Sequence, residues 1–423
     1  MKKSLKSSLF ICLSAMMALA SCSDNDSNEP NVKNEEPAQY SITLSAPQQK
    51  VLNQSNDFAF DVLKAVNNEN GNVFVSPYSL GQALAMLANG AEGETYDEIA
   101  DVLKIGDGTA LNDINGYYAT MNKALKGIKC SSKIAIANSL WINNKLGHKI
   151  LDNYKADMQS NFDAMVSALD FSDAKAVGTI NDWSKKHTAG LIPAIINNNI
   201  GNESAMLLNT LYFKGLWSYF PKKNTYDDIF RNQFDRNEKV KMMKSDECAL
   251  NGFVTDEELM VEFDYGGKAF QLQVIMPKKE KINEYINDLD EEKYAELLTY
   301  MRNSESVVAM PKFTATYNNA LATPLQKMGI KRAFGPNAQF SKISATERLS
   351  VTNALQNTII EVNEEGATAA STTRVDIGAT SPGPSVLPKS FNIDHPFIYL
   401  IRERQTGAIL FVGKVQSMEG MQK

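Results

Sequence analysis

An α+β domain is what this sequence predicts, and three observations carry the prediction. Apolar residues recur at helical spacing through the first quarter of the chain, whereas strand-length apolar runs dominate the remainder. Helices first and strands after, rather than in alternation, point to α+β. Between residue 46 and the C-terminus there is no internal repeat and no linker rich in Pro, Gly or Ser. One large domain over residues 46–418 is therefore expected despite the 423-residue length. With 43% apolar residues, such a chain can bury a sizeable core without disulfides.

Residues 1–21 read as a targeting signal. Lys2, Lys3 and Lys6 precede an apolar run from Leu9 to Ala20, too short to span a bilayer well. The run ends at Leu19-Ala20-Ser21-Cys22, which resembles a bacterial lipoprotein cleavage box. That resemblance implies that Cys22 becomes the first mature residue and carries the lipid. Ser23–Pro37 is polar, acidic and without hydrophobic period, so residues 22–45 are expected to form a flexible tether. The acidic residues just after Cys22 look like the surface-export signals of some outer-membrane lipoproteins. The expected location is the outer membrane or cell surface, facing outward.

Phe58, Val62, Leu63 and Val66 recur at helical spacing and predict a helix over residues 50–67. Ser79–Asn89 is a second helix, closed by Gly90, and Thr95–Leu103 a third. Strand signals follow at Ile134–Ile142, Ser204–Phe213, Leu259–Phe263, Phe270–Met276, Ser306–Phe313 and Leu349–Val362. Two last runs, Phe397–Ile401 and Ile409–Val415, flank Gln405-Thr406-Gly407 and predict a hairpin.

Composition excludes several classes of function. Net charge is −6, and no basic run is dense enough to suggest nucleic acid. Lys123, Lys126, Lys129 and Lys133 are spaced to share a helix face, which reads as solvated surface. The three histidines, His148, His187 and His395, lie in separate segments. There is no GxSxG, HExxH, CxxC or phosphate loop, so neither an enzyme nor a cofactor or metal site is expected. Cys12 leaves with the signal, and Cys22 is expected to carry the lipid. Cys130 and Cys248 remain, read as two separate buried thiols.

Glu361–Ala379 is the most informative stretch. At strand period one parity, Ala367, Ala369, Ser371, Thr373, Val375, Ile377 and Ala379, is small or apolar, while the other carries Arg374 and Asp376. Its front half is too small to anchor a strand by packing, and it opens with Glu364-Glu365-Gly366. It stops at Ser381-Pro382-Gly383-Pro384, which cannot continue a central strand. Such a segment suits a loop that inserts into a sheet later.

That pattern resembles the reactive-centre loop of the serpins, and the resemblance covers nearly the whole mature chain. Asn72–Ile99, Asn209–Trp217, Phe263–Pro277, Met310–Phe313, Glu361–Ser371 and Asp394–Val415 match the family's signatures in its order. The resemblance implies a serpin fold with three β-sheets, the largest with a gap, and about eight to nine helices. An exposed reactive-centre loop would span about 364–388. It implies an irreversible suicide-substrate inhibitor of serine proteases, and possible cysteine-protease targets, acting as a monomer. A protease attacks the loop, forms an acyl-enzyme and is distorted as the loop inserts.

Carried onto this sequence, the hinge is Glu364, Glu365, Gly366, Ala367, Thr368, Ala369 and Ala370, free of proline and, beyond Glu365, of charge. Trp217, Lys312 and Glu364 match the region where the sheet opens, with Glu364 expected to pair with Lys312. Ser76, Ser79 and Asn209 match the polar cluster controlling strand separation. The family usually completes that cluster with a histidine, whereas Gln356 stands here; an amide donates and accepts as a neutral imidazole does. The departure bears on the cluster's pH response and its energy barrier. Counting from the hinge puts the reactive bond at Thr380–Ser381, which fits an elastase-like or subtilisin-like pocket. Counting back from Pro396-Phe397 puts it near Ser385–Val386, and Ala379–Thr380 is a further rival. The alternative reading is a non-inhibitory serpin acting as a binding or structural protein.

Overall fold

The computed structural model describes residues 37–421 except 68–70, 107, 189, 191, 197–199, 201–202, 346–348 and 365–383. The signal segment, Cys22, hinge residues Glu365–Ala370 and the Thr380–Ser381 bond lie outside the described residues.

The chain opens with α1 (Ala46–Val66), β1 (Val73–Val75), α2 (Pro77–Gly90), α3 (Gly93–Val102) and α4 (Leu111–Gly127). Next come β2 (Lys133–Asn143), α5 (Asp152–Phe162), β3 (Met165–Leu169), α6 (Ala176–His187) and β4 (Ala205–Lys214). A run of strands follows: β5 (Tyr226–Arg231), β6 (Asn237–Lys244), β7 (Cys248–Val254), β8 (Glu258–Tyr265) and β9 (Phe270–Pro277). Then come α7 (Ile282–Asp288), α8 (Glu291–Tyr300), β10 (Arg302–Pro311), β11 (Phe313–Ala320) and α9 (Ala322–Met328). The chain closes with β12 (Val351–Val362), β13 (Ser390–Asn392), β14 (Phe397–Glu403) and β15 (Ile409–Val415).

Ser45 starts α1 with a capping box, its hydroxyl accepting from Gln48 N–H while the Gln48 side chain accepts from Ser45 N–H. Gly90 has a different role from the expected helix stop. It is the last residue inside α2, and a Cβ there would lie 2.1 Å from Ile343 Cγ1, so close packing rather than a left-handed turn requires it. The four lysines expected on one helix face are divided. Lys123 and Lys126 lie on α4, Lys129 follows it, and Lys133 opens β2, because the helix ends at Gly127 before the apolar strand begins.

Two hydrogen-bonded sheets result among the described residues. The ten-stranded one runs β1-β15-β14-β9-β8-β7-β10-β6-β5, with β13 beside β10. Arg302–Ser306 of β10 pairs with β7, and Val307–Pro311 pairs with β13 and β6, so two of the three expected sheets are joined through one strand. The five-stranded sheet runs β11-β12-β4-β2-β3. One of its faces enters the main core through Leu140, Leu207, Phe213 and Ile360. Its other face lies under α6, where Trp141, Ile180, Trp183, Met206 and Leu208 form a second cluster.

The gap expected in the largest sheet falls instead in the five-stranded one, the smaller here because two other sheets are joined through β10, and it is closed. β12 and β4 pair directly and in parallel from Val351↔Ala205 to Ile360↔Phe213, so each strand satisfies the other's backbone groups. The expected tether is also shorter than 22–45. Ala38, Tyr40, Ile42 and Leu44 pack against the core, and Ala38 N–H donates to Gly267 O at 2.8 Å. Tyr40 O–H reaches Ala269 O at 3.0 Å and also bonds Glu403. The alternate apolar residues from 38 to 44 give this arm an inward edge, which sequence reading had merged with the polar stretch before it.

Candidate functional site

The seam between β4 and β12 is closed at its centre by amides. Register places Asn138 of β2 beside Asn209 of β4, and Asn209 beside Gln356 of β12. Side chains alternate across a strand, so all three point to the same face, toward α2. Gln356 Nε2 donates to Asn209 Oδ1 at 2.8 Å and to Ser76 O at 3.0 Å, and Gln356 Oε1 accepts from Ser76 N–H at 2.8 Å. Asn209 Nδ2 bonds both Ser79 Oγ and Asn138 Oδ1. Ser76 Oγ caps α2 by accepting from Ser79 N–H at 3.1 Å and donates to Leu410 O at 2.7 Å. The four residues expected as a cluster therefore do meet, and all are buried. The network ties both seam strands to the start of α2 and to β15.

Asn138 was missed from the sequence, although it interrupts the apolar run Ile134–Ile142. Gln82 was missed too: its Oε1 accepts from Asn122 at 2.9 Å and from Asn138 at 3.4 Å. On the opposite face, register partners Thr210 and Asn357 are buried, yet Thr210 Oγ1 and Asn357 Oδ1 have no hydrogen-bond partner among the described residues. A buried polar atom left unpaired costs about 1–3 kcal/mol.

The top of the seam is held by charge and an indole. Lys312 Nζ lies 2.9 Å from Glu364 Oε2, and Thr225 O–H donates to Glu364 Oε1 at 2.8 Å. Burial pushes the Glu364 carboxyl up, but hydrogen bonds from Lys312, its own backbone and Thr225 outweigh that and hold it below the usual range. Trp217 Nε1 donates to Asn363 O at 2.7 Å, while its ring stacks on Tyr265 with centroids 4.8 Å apart. Trp217, Lys312 and Glu364 are thus gathered where β12 leaves the sheet. Thr225, which shares Glu364, was not foreseen.

At the base, His148 Nε2 lies 3.2 Å from Ser204 Oγ, and Ser350 N–H donates to that hydroxyl at 3.4 Å. Burial pulls the His148 imidazole below its ordinary value, favouring the neutral ring. Cys130 and Cys248 are not joined to each other, and each is partly buried. Burial pushes the Cys248 thiol up to about 11, which leaves it protonated and unreactive. Among the described residues, no group of three His, Cys, Asp or Glu side chains could hold a metal ion.

This seam, with charge and an indole at its top, defines a recognisable class. The family model for Serpin (serine protease inhibitor) matches residues 53–418. Iripin-2 of Ixodes ricinus is 32% identical over 378 residues, 87% of this chain and 94% of that protein. The structure of tengpin, a thermophilic serpin in its native state, aligns with a TM-score of 0.76 at 28% identity over 90% of this chain and 97% of its own. Human thyroxine-binding globulin complexed with its hormone aligns at 0.77 and 26%, over 88% and 99%. The chain belongs to the serpin family.

Proposed function

We propose that this chain is an irreversible suicide-substrate inhibitor of serine proteases, elastase-like or subtilisin-like in specificity. In this reading it acts as a monomer, held by lipid on Cys22 at the outer membrane or cell surface. It is a trap for an enzyme rather than an enzyme itself. The target's serine adds to the Thr380 carbonyl, the C–N bond to Ser381 breaks, and Ser381 leaves as a free amine with the proton from the target's histidine. An ester then joins the protease to Thr380.

The observation that carries this reading is the parallel pairing of β4 with β12. The segment after β12 must turn back to insert, so it would run antiparallel to β12 and equally to β4. One parallel interface is exchanged for two antiparallel ones, the slightly stronger kind per residue. The new strand adds a full set of backbone bonds, whereas the old ones are only exchanged. The unpaired Thr210 and Asn357 oxygens add to what the closed seam gives up when it parts. Glu364 and the Trp217 bond stand where opening would begin, and the amide network sets the barrier further in. The hinge carries no proline to obstruct entry.

Mixing the full chain in detergent with pancreatic elastase or subtilisin and running a denaturing gel tests this. A band at the summed mass is expected. Likeness to thyroxine-binding globulin favours the alternative, a non-inhibitory member that binds another molecule. Cleaved product alone, with every protease tried, would leave that alternative standing.

A further inference from the structure

Beyond Arg302, where the pairing of β10 with β7 stops, the chain leading into β13 takes up the edge of β7. β10 covers β7 only from Cys248 to Gly252, with Arg302 opposite Gly252. Two residues on, Val254 would present its N–H and C=O to solvent. Instead Val254 N–H donates to Ser385 O at 2.9 Å, and Ser385 N–H donates to Val254 O at 3.0 Å, an isolated antiparallel bridge. Leu387 is then buried at 3% exposure against Gly252, where a Cβ would lie 2.7 Å from Leu387 Cδ1. The missing side chain of Gly252 is the niche that Leu387 fills. Between these two anchored residues Val386 turns outward, 51% exposed. Lys389 O then accepts from Val307 N–H, and β13 begins.

We propose that Val254, Gly252, Ser385 and Leu387 form a fixed post that sets the C-terminal limit of the cleavable loop and positions the reactive bond ahead of Pro384. This rests on the inhibitor reading above. To be cut at Ser385–Val386, the Ser385 carbonyl oxygen must enter the protease's pair of backbone N–H donors as the serine adds to its carbon. That oxygen is already held by Val254 N–H, and the Ser385 N–H that a protease cleft would engage is held by Val254 O. Val386–Leu387 is guarded by the burial of Leu387, and Leu387–Pro388 by the proline. Of the bonds considered for the reactive centre, those near Ser385 are excluded, leaving Thr380–Ser381 and Ala379–Thr380. The post also holds the released end: after cleavage, the stretch from Ser385 stays on the body while only the upstream segment is free to move.

Limited proteolysis of the full chain in detergent by elastase, subtilisin and proteinase K, with intact mass of the C-terminal fragment, tests the post. All primary cuts in the unmodified chain are expected ahead of Pro384. Ser385→Pro removes the donor to Val254 O, and Leu387→Ser empties the niche. Each is expected to open cuts between Pro384 and Lys389, at least about tenfold faster than in the parent, because local opening sets access. The stoichiometry of elastase inhibition should rise in both variants as the loop lengthens. A parent chain cut at Ser385–Val386 as readily as upstream overturns the proposal, and so does an unchanged cut map in both variants. Absence of a covalent complex with the expected cut map would sink the inhibitor reading and leave the post intact.

Discussion

All eight residues of β9 and all seven of β15 are buried, and most are apolar, whereas β4 and β12 meet at Asn209, Thr210, Gln356, Asn357 and Thr358. In the first region Phe74 stacks on Phe411 with centroids 5.1 Å apart, and Phe411 also reaches Phe213 of β4 edge-on at 5.8 Å. Such contact is broad and undirected, and its loss leaves a cavity that nothing refills. In the second, closure depends on a few directed bonds between amides and hydroxyls. Those bonds resist slow fraying, and in the proposed mechanism an incoming strand replaces the backbone pairs they guard. Under the proposed mechanism, one sheet stays shut and the other opens once.

Substitutions should separate the two. Phe411→Ala is expected to have the largest effect on stability, about 4 kcal/mol by urea unfolding, since it removes a buried ring and leaves a cavity. Its stoichiometry of protease inhibition should stay near that of the parent. Asn209→Ala removes donors to Ser79 and Asn138 and the acceptor for Gln356, all buried. A cost of about 2–3 kcal/mol is expected. Unlike Phe411→Ala, it should shorten the half-life of inhibitory activity on storage, as the seam parts without cleavage. If the two variants lost activity at equal rates for equal loss of stability, the distinction between the sheets would fail.

Glu364→Gln should have the smallest effect, about 1 kcal/mol, because Lys312 is 35% exposed and its charge is screened. Its pH dependence is the sharper readout. The folded Glu364 carboxyl titrates below its ordinary value, so its contribution is complete above about pH 4.3 and is lost as pH falls through the lower folded value. The parent should therefore lose stability across that acid window, and Glu364→Gln should lose less. An identical acid limb in the two proteins would remove the pair from the seam's closure.

Much of this was legible in the sequence, and what was missed has physical reasons. Strands β2, β4, β8, β9, β12, β14 and β15 are long and apolar enough to announce themselves, as are the first three helices. β5 and β6 were missed because their exposed faces carry charge, such as Asp227 and Lys241, at an edge that buries little. The amide cluster could be named from its matching motifs, but Asn138 joins it only through the register of β2 on β4. Thr225 lies in a loop, and no local pattern ties it to Glu364. The bridge from Ser385 to Val254 spans 131 positions and depends on where β10 ends, which no sequence period reveals.

Amide hydrogen exchange of β4 and β12, followed by mass spectrometry on the intact chain and on chain cut once in the loop by elastase, tests whether the seam receives the loop. In the cut protein the segment Ala367–Ala379 should become protected while β4 and β12 remain so, and the thermal midpoint should rise by more than about 10 °C. A cut protein in which that segment exchanges freely and the midpoint does not move would contradict insertion between these strands.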